Sequence, residues 1–185
     1  MSVPAHSHDE VEQRLLSILA MVNDWLKFAE TKNAGIVGFG AAGAAVIGSF
    51  LNRSDDTVLV AGLAVAVALM AISVLVGLSS FFPRTSLARL LTHDAGKPDE
   101  SDNLYYYGHL AKYAPAALVE AIARDYAQTG FTDVVHARSR NDLAAQIIVN
   151  SRITLAKLEL FGIATWLFAA SAVTALLSVL AAVVT

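Results

Sequence analysis

The chain has 185 residues, enough for one domain, and 56% of them are hydrophobic, against ~45–50% in ordinary soluble domains, so part of it needs an apolar solvent. A net charge of −3 gives no basis for bulk nucleic-acid binding. The absence of cysteine excludes disulfides, thiolate metal sites and a cysteine nucleophile.

The N-terminal MSVPAHSHDEVEQ is polar and acidic, with neither the basic start nor the apolar core of a signal peptide. His6 and His8 in it read as a solvated tail; a weak metal site is the alternative. Ser7 with Glu10 three residues later is a capping-box pattern. Behind it Val11, Leu15, Ile18, Leu19, Val22, Trp25 and Leu26 recur at spacings of three and four. That stripe predicts an amphipathic helix from about Ser7 to Thr31.

Residues 34–51 come next, 18 residues with no charge. Within them Gly38-Phe-Gly40-Ala-Ala-Gly43 is a formal G-x-G-x-x-G, with Asp55 and Asp56 downstream. A dinucleotide turn needs strand, tight glycine turn, helix and second strand. Only residues 35–37 are left for the first strand, and the apolar run after Asp56 is too long for a sheet strand. The glycines read instead as helix-packing residues, of the hairpin or of an oligomer. Gly40, Ala44 and Gly48 fall four apart, a spacing that lets two membrane helices approach closely. Residues 52–56 (NRSDD) make a short polar turn, and residues 57–82 give 26 positions with neither charge nor proline. A membrane helix needs about 20 apolar residues, so residues 34–82 are expected to form a transmembrane hairpin.

The region 83–158 has ordinary soluble composition. Pro83-Arg84 suits a stop for the second span. Residues 92–102 (THDAGKPDESD) read as a loop. Residues 103–113 (NLYYYGHLAKY) and 115–128 read as two helices, the second starting at Pro115 and ending before Gly130. From about Ser139 a helical pattern runs without a breaker into residues 160–184, another 25 uncharged residues. Along it Leu143, Ile147, Ser151, Leu155 and Leu158 form one stripe. Ser139, Asp142, Gln146, Asn150, Thr154 and Lys157 form the other. The polar stripe is either a solvated face or the wall of a bundle interior or ligand pocket. Lys157, at the membrane boundary, is expected to snorkel.

Arg84, Arg89, Lys97, Lys112, Arg124, Arg138, Arg140, Arg152 and Lys157 lie in the middle region, and Arg14, Lys27 and Lys32 in the N-terminal arm. The turn holds only Arg53, and the C-terminal tip holds none. The positive-inside rule then places the arm and the middle region in the cytoplasm and the C-terminus in the periplasm. The expected fold is an all-α membrane protein of about three transmembrane helices, a short N-terminal hairpin plus a C-terminal span, with a helical cytoplasmic module. Its parts are an amphipathic helix (1–33), a hairpin (34–82), the module (83–158) and a last span (159–185).

No H-E-x-x-H, G-x-S-x-G, P-loop or C-x-x-C motif occurs, so no enzymatic activity and no metal or cofactor is expected. His93, His109 and His136 are scattered. The Tyr105–Tyr107 run suits either stacking on a nucleobase or packing at a membrane interface.

Four landmarks recur in order: FAETKNAG, a hairpin ending Phe82-Pro83-Arg84, the segment NLYYYGH, and NDLAAQIIVNSRITLAKLELFG leading into the last span. Together they resemble the transmembrane effector family of the Pycsar antiphage system, over roughly residues 8–182. The resemblance implies an inner-membrane effector that senses cyclic UMP or cyclic CMP made by a partner cyclase. It would then impair the membrane in an abortive infection. Thr31 and Lys32 match the polar pair ahead of the first span; Arg84, Asn103, Tyr106, Gln146 and Lys157 match other recurring polar positions. The ligand-binding or coupling candidates are therefore Lys32, Arg84, Asn103, Tyr106, Gln146, Asn150 and Lys157. One or two of Lys32, Arg84, Arg138, Arg140 and Arg152 are available for the single phosphate. Gln146, Asn150 or Asn103 suits the base edge, and Tyr105 or Tyr106 the ring. With no β-roll in the pattern, the ligand is expected between helices or across subunits of a homo-oligomer. An oligomeric membrane scaffold for a soluble partner explains the same helices without a ligand. A membrane oxidoreductase using Gly38–Gly43 has only that motif behind it.

Overall fold

In lipid every backbone amide and carbonyl must be satisfied within the protein, so uncharged runs of this length have only the helix open to them here. The computed structural model describes residues 6–51, 53, 55–82, 96–126 and 137–184. Among these the chain forms five helices and no strand: α1 (His6–Leu51), α2 (Thr57–Ser79), α3 (Tyr107–Leu110), α4 (Pro115–Tyr126) and α5 (Ala137–Val184). Stretches of α1, α2 and α5 are each long and apolar enough to cross a membrane.

The amphipathic helix expected to end near Thr31 does not end there. Nothing between Thr31 and Leu51 breaks a helix, so arm and first span are one 46-residue element. His6 is already helical, so Ser7 lies inside α1 rather than capping it. The glycines of the G-x-G-x-x-G sit in mid-helix, which removes the nucleotide turn. Asp56, the carboxylate that motif would have used, caps α2: its Oδ1 accepts from the amides of Val58 at 2.8 Å and Leu59 at 3.1 Å. The helix expected over 103–113 shrinks to the single turn α3. Pro83, Arg84, His93, Gly130 and His136 lie outside the described residues.

The chain divides into two compact units. The polar unit comprises Met1–Phe28 and Arg84–Ala156. Its core is the predicted stripe of α1, Val11, Leu15, Ile18 and Val22, packed with Leu110, Leu118, Ile122, Ala144, Ile147 and Ile148. Full burial of each large aliphatic side chain contributes roughly 1.5–3 kcal/mol. Glu12 bonds Ser139, and Asn23 bonds Asn150. Both pairs are 127 residues apart, so α1 and α5 run parallel here in one register.

The apolar unit comprises Ala29–Pro83 and Lys157–Thr185. Its buried positions on α2 are Leu63, Ala66, Met70, Ser73 and Gly77, with Ser80 just past the helix. Alternating steps of three and four are a heptad seam. Side chains pointing away from it, such as Phe39, Trp166 and Val184, stand exposed as lipid-facing groups. α1 meets α2 where side chains vanish. A Cβ on Gly40 would lie 2.7 Å from Val74 Cγ2, and one on Gly77 would lie 2.9 Å from Ile36 Cγ2 and 3.0 Å from Val37 Cγ2. Gly48 has nothing within 4 Å. Of the expected face through Gly40, Ala44 and Gly48, Gly40 meets α2 and is joined there by Gly43, which lies against Met70. Two serines tie α2 to α5. Ser73 Oγ donates to the Ala164 carbonyl at 2.7 Å, and Ser171 Oγ donates to the Ala66 carbonyl at 2.7 Å. Bonds of this kind in membranes contribute about 0.6 kcal/mol on average.

Gly77→Leu is expected to destabilise the detergent-solubilised protein by about 1–3 kcal/mol, since the stiff Ile36 and Val37 leave no room. Gly48→Leu should leave stability unchanged. Denaturant unfolding of the two variants monitored by circular dichroism checks the contrast.

Candidate functional site

The segment between Gly96 and α4 is short on helix and rich in side-chain-to-backbone bonds. Gly96 takes φ +83°, a value that suits only a residue without Cβ. Asp99 Oδ1 accepts from the Ser101 amide at 2.8 Å, and Asn103 Oδ1 accepts from the Tyr105 amide at 2.9 Å. These are turns made by short polar side chains on their own backbone. Asp102, nearly buried, holds the segment together. Its Oδ1 accepts from Lys112 Nζ at 2.7 Å and its Oδ2 from the Asp99 amide at 2.9 Å. Burial opposes ionisation of Asp102, but the Lys112 ammonium and the Asp99 contact outweigh it and hold the carboxyl below its ordinary value of 3.8. His109 Nδ1 accepts from the Asn103 amide at 2.8 Å. That nitrogen also lies 3.6 Å from Asp102 Oδ1.

The turns set out a ledge of rings. Trp25 of α1 lies 5.5 Å from Tyr107, and Tyr106 lies 4.6 Å from Tyr107. Tyr106 also stands edge-on to His109 at 5.2 Å, and Phe28 edge-on to Trp25 at 5.8 Å. Trp25, Phe28 and Tyr106 are exposed. Burial, then the hydrogen bond with Tyr106, push the Tyr107 hydroxyl up to about 12, so it is a neutral phenol near pH 7. Tyr105 turns the other way: its hydroxyl accepts from Arg14 Nη1 at 3.2 Å and its ring meets Tyr126. Of the two tyrosines considered for a base, only Tyr106 is exposed.

The other candidates separate into two groups. In the polar unit Asn103 is committed to its turn. Gln146 is exposed, and Asn150 Nδ2 donates to Asn23 Oδ1 at 2.8 Å. The polar stripe on α5 therefore splits: Ser139, Asp142 and Gln146 are not buried, Asn150 is half-buried, and Thr154 and Lys157 are buried. In the apolar unit Lys32 is exposed, with Nζ 5.0 Å over the Phe161 ring. Lys157 is buried along its length. Its Nζ donates to Glu30 Oε1 at 2.8 Å and lies 5.7 Å from the Phe81 ring. A partner acid on α1, also 127 residues away, holds the ammonium inside. Arg84 lies outside the described residues.

Among the remaining arginines considered for phosphate, Arg138 is exposed and Arg140 is fully buried. Arg152 Nε donates to the Ala111 carbonyl at 2.9 Å and Nη2 to the Tyr113 carbonyl at 3.4 Å. Sequence reasoning passed over Trp25, Asn23, Glu30 and Asn33 as site residues. Asn33 is fully buried, with Nδ2 donating to the carbonyls of Ala29 at 2.9 Å and Lys157 at 3.1 Å. A lone Asn at the edge of an uncharged run was the available signal for it. Trp25 was hidden because it fits the apolar spacing.

Asp102 gives an acid signature. With its folded value depressed, its contribution is fully present above about pH 4 and disappears as pH falls through the folded value. Asp102→Asn should cost the polar unit about 1.5–3 kcal/mol near pH 7 and flatten its stability profile below pH ~4. Thermal melts by circular dichroism between neutral and acid pH test both.

A family model described as the Pycsar effector protein domain matches residues 14–185. No curated protein and no solved structure matches the chain.

Proposed function

The chain belongs to the Pycsar effector family, and from that premise we propose that it senses a cyclic pyrimidine mononucleotide, cyclic UMP or cyclic CMP, and impairs the membrane in response. Its coarser role is that of a Pycsar antiphage effector in the inner membrane, with a partner cyclase implied by the family. The reading supposes no catalytic step by this chain. The observation that carries the finer proposal is that α1 and α5 each belong to both units without a break. A stiff helix is a means by which a shift at one end reaches the other.

Within this reading the polar unit faces the cytoplasm and the C-terminus the periplasm, which the Lys and Arg distribution supports. Tyr106, exposed and flanked by Tyr107 and His109, offers a face for the pyrimidine ring. The amide of Gln146 offers paired donor and acceptor for the base edge, and Arg84 or Arg138 a charge for the phosphate. Asn103 and Asn150 position these groups through their turn and cross-helix bonds. Lys32 and Lys157, which belong to the apolar unit, serve in coupling. Homo-oligomerisation is part of the proposal; the open space beside Gly38, Gly48 and Gly162 supports it, since it admits a close neighbour.

Calorimetry on the detergent-purified protein tests this with cyclic UMP and cyclic CMP, and with cyclic AMP and a cyclic dinucleotide as controls. Selective pyrimidine binding is expected. Tyr106→Ala should weaken it about tenfold or more, the equivalent of one base–aromatic stack of roughly 1–3 kcal/mol, while Tyr106→Phe keeps it. Absence of binding to all four ligands would refute the sensing step and favour a membrane scaffold.

A further inference from the structure

The seam between α2 and α5 is built around small polar residues. Ser73 bonds the Ala164 carbonyl, and seven residues away on both helices Ser171 bonds the Ala66 carbonyl. Beyond them Ser178 lies against Gly62, where any Cβ would collide with it. Seven residues in the other direction, the same register brings Ser80 level with Lys157. The seam therefore runs Lys157–Ser80, Ser73–Ala164, Ala66–Ser171 and Gly62–Ser178. It places hydroxyls and small residues in the middle of otherwise aliphatic helices.

One end of the seam is not built to be dry. Ser80 is 1% exposed and its Oγ has no hydrogen-bond partner among the described residues. Asn33 is 0% exposed and donates to the Lys157 carbonyl, yet its Oδ1 likewise has no partner among them. Oxygens left so are costly, and water is the partner that fits them. Beside them stands an ammonium held by one acid, Glu30, whose own side chain is half-exposed. A charged group buried beside unpaired polar oxygens adds to the polar character of this end of the seam.

The bonds that close the seam are also exchangeable. Ser178 already bonds the carbonyl four residues back in its own helix, and Ser73 and Ser171 have the same alternative open to them. Separating α2 from α5 would then leave no backbone group unsatisfied. It would bring hydroxyls into the gap among the smaller apolar side chains.

We propose that the α2–α5 seam is the route by which water, and with it small ions, crosses the apolar unit when these helices part. This rests on the reading of the chain as a membrane-impairing effector and adds to it a path. A seam of small polar groups wets where an aliphatic one stays dry.

The chain has no cysteine, so single-cysteine variants report one position each. Full-length protein in liposomes carries Ser73→Cys or Ser171→Cys on the seam, or Ile72→Cys on the exposed outer face of α2. Cyclic UMP and cyclic CMP are added, chloride and potassium fluxes are measured with separate dyes, and an anionic methanethiosulfonate reagent probes each thiol. Only a hydrated thiol ionises and reacts, so nucleotide should speed modification of the two seam positions roughly tenfold or more and leave Ile72→Cys inert. Leakage with unreactive seam cysteines overturns the inference while leaving the effector reading intact. Leakage with Ile72→Cys labelled as fast as the seam overturns it in favour of general bilayer disruption. If neither nucleotide produces leakage, the effector reading itself fails, and the inference with it.

Discussion

The pairing of the first helix with the last is the constraint on which the remainder of the molecule hangs. In the polar unit Glu12 meets Ser139 and Asn23 meets Asn150; in the apolar unit Glu30 meets Lys157. All three pairs join residues 127 apart. Each is modest in energy, but together with the apolar stripes they define which turn of α5 lies beside which turn of α1. Polar pairs are well suited to this task because a slip of one turn leaves their partners unmatched, whereas aliphatic side chains repack. Once that register is set, the single turn α3 and helix α4 fill the remaining core positions in the polar unit.

The same register accounts for how the candidate residues divide. Side chains that the sequence grouped by polarity have different work according to the helix they face. Asn150 is committed to Asn23, Lys157 to Glu30, and Arg152 to the carbonyls at the end of α3. Asn103 is held in its own turn. The ring of Tyr106 remains exposed. An Asn, Lys or Arg already engaged in this way sets geometry, and an exposed ring is able to meet a ligand. Polarity alone cannot separate these roles.

The apolar unit obeys a different logic. Its helices need no hydrophobic drive toward one another in lipid, so they meet through shape and through serine hydroxyls. Gly40 and Gly77 let α1 and α2 approach, and Ser73 and Ser171 join α2 to α5 by reciprocal bonds. Such contacts are specific and individually weak. A bundle assembled from them can hold one arrangement firmly enough to be closed and still exchange its bonds for others within the same helices.

The sequence by itself determined the helical class, the three apolar segments and the polar block between them, because length and charge distribution act locally and survive without any knowledge of partners. It also determined the resemblance to the Pycsar effectors, through the order of four short landmarks. It mistook the end of the first helix, because amphipathic and apolar patterns join without a breaker at Thr31. It found Gly40 as a packing glycine, but the spacing Gly40 shares with Gly48 says nothing of where α2 lies. Only the tertiary structure decided that Lys157 is buried against Glu30, that Arg140 is enclosed while Arg138 is exposed, and that the Lys157 ammonium lies near the Phe81 ring. Those are consequences of register between distant segments, and a pattern read along one chain carries no information about the distance across it.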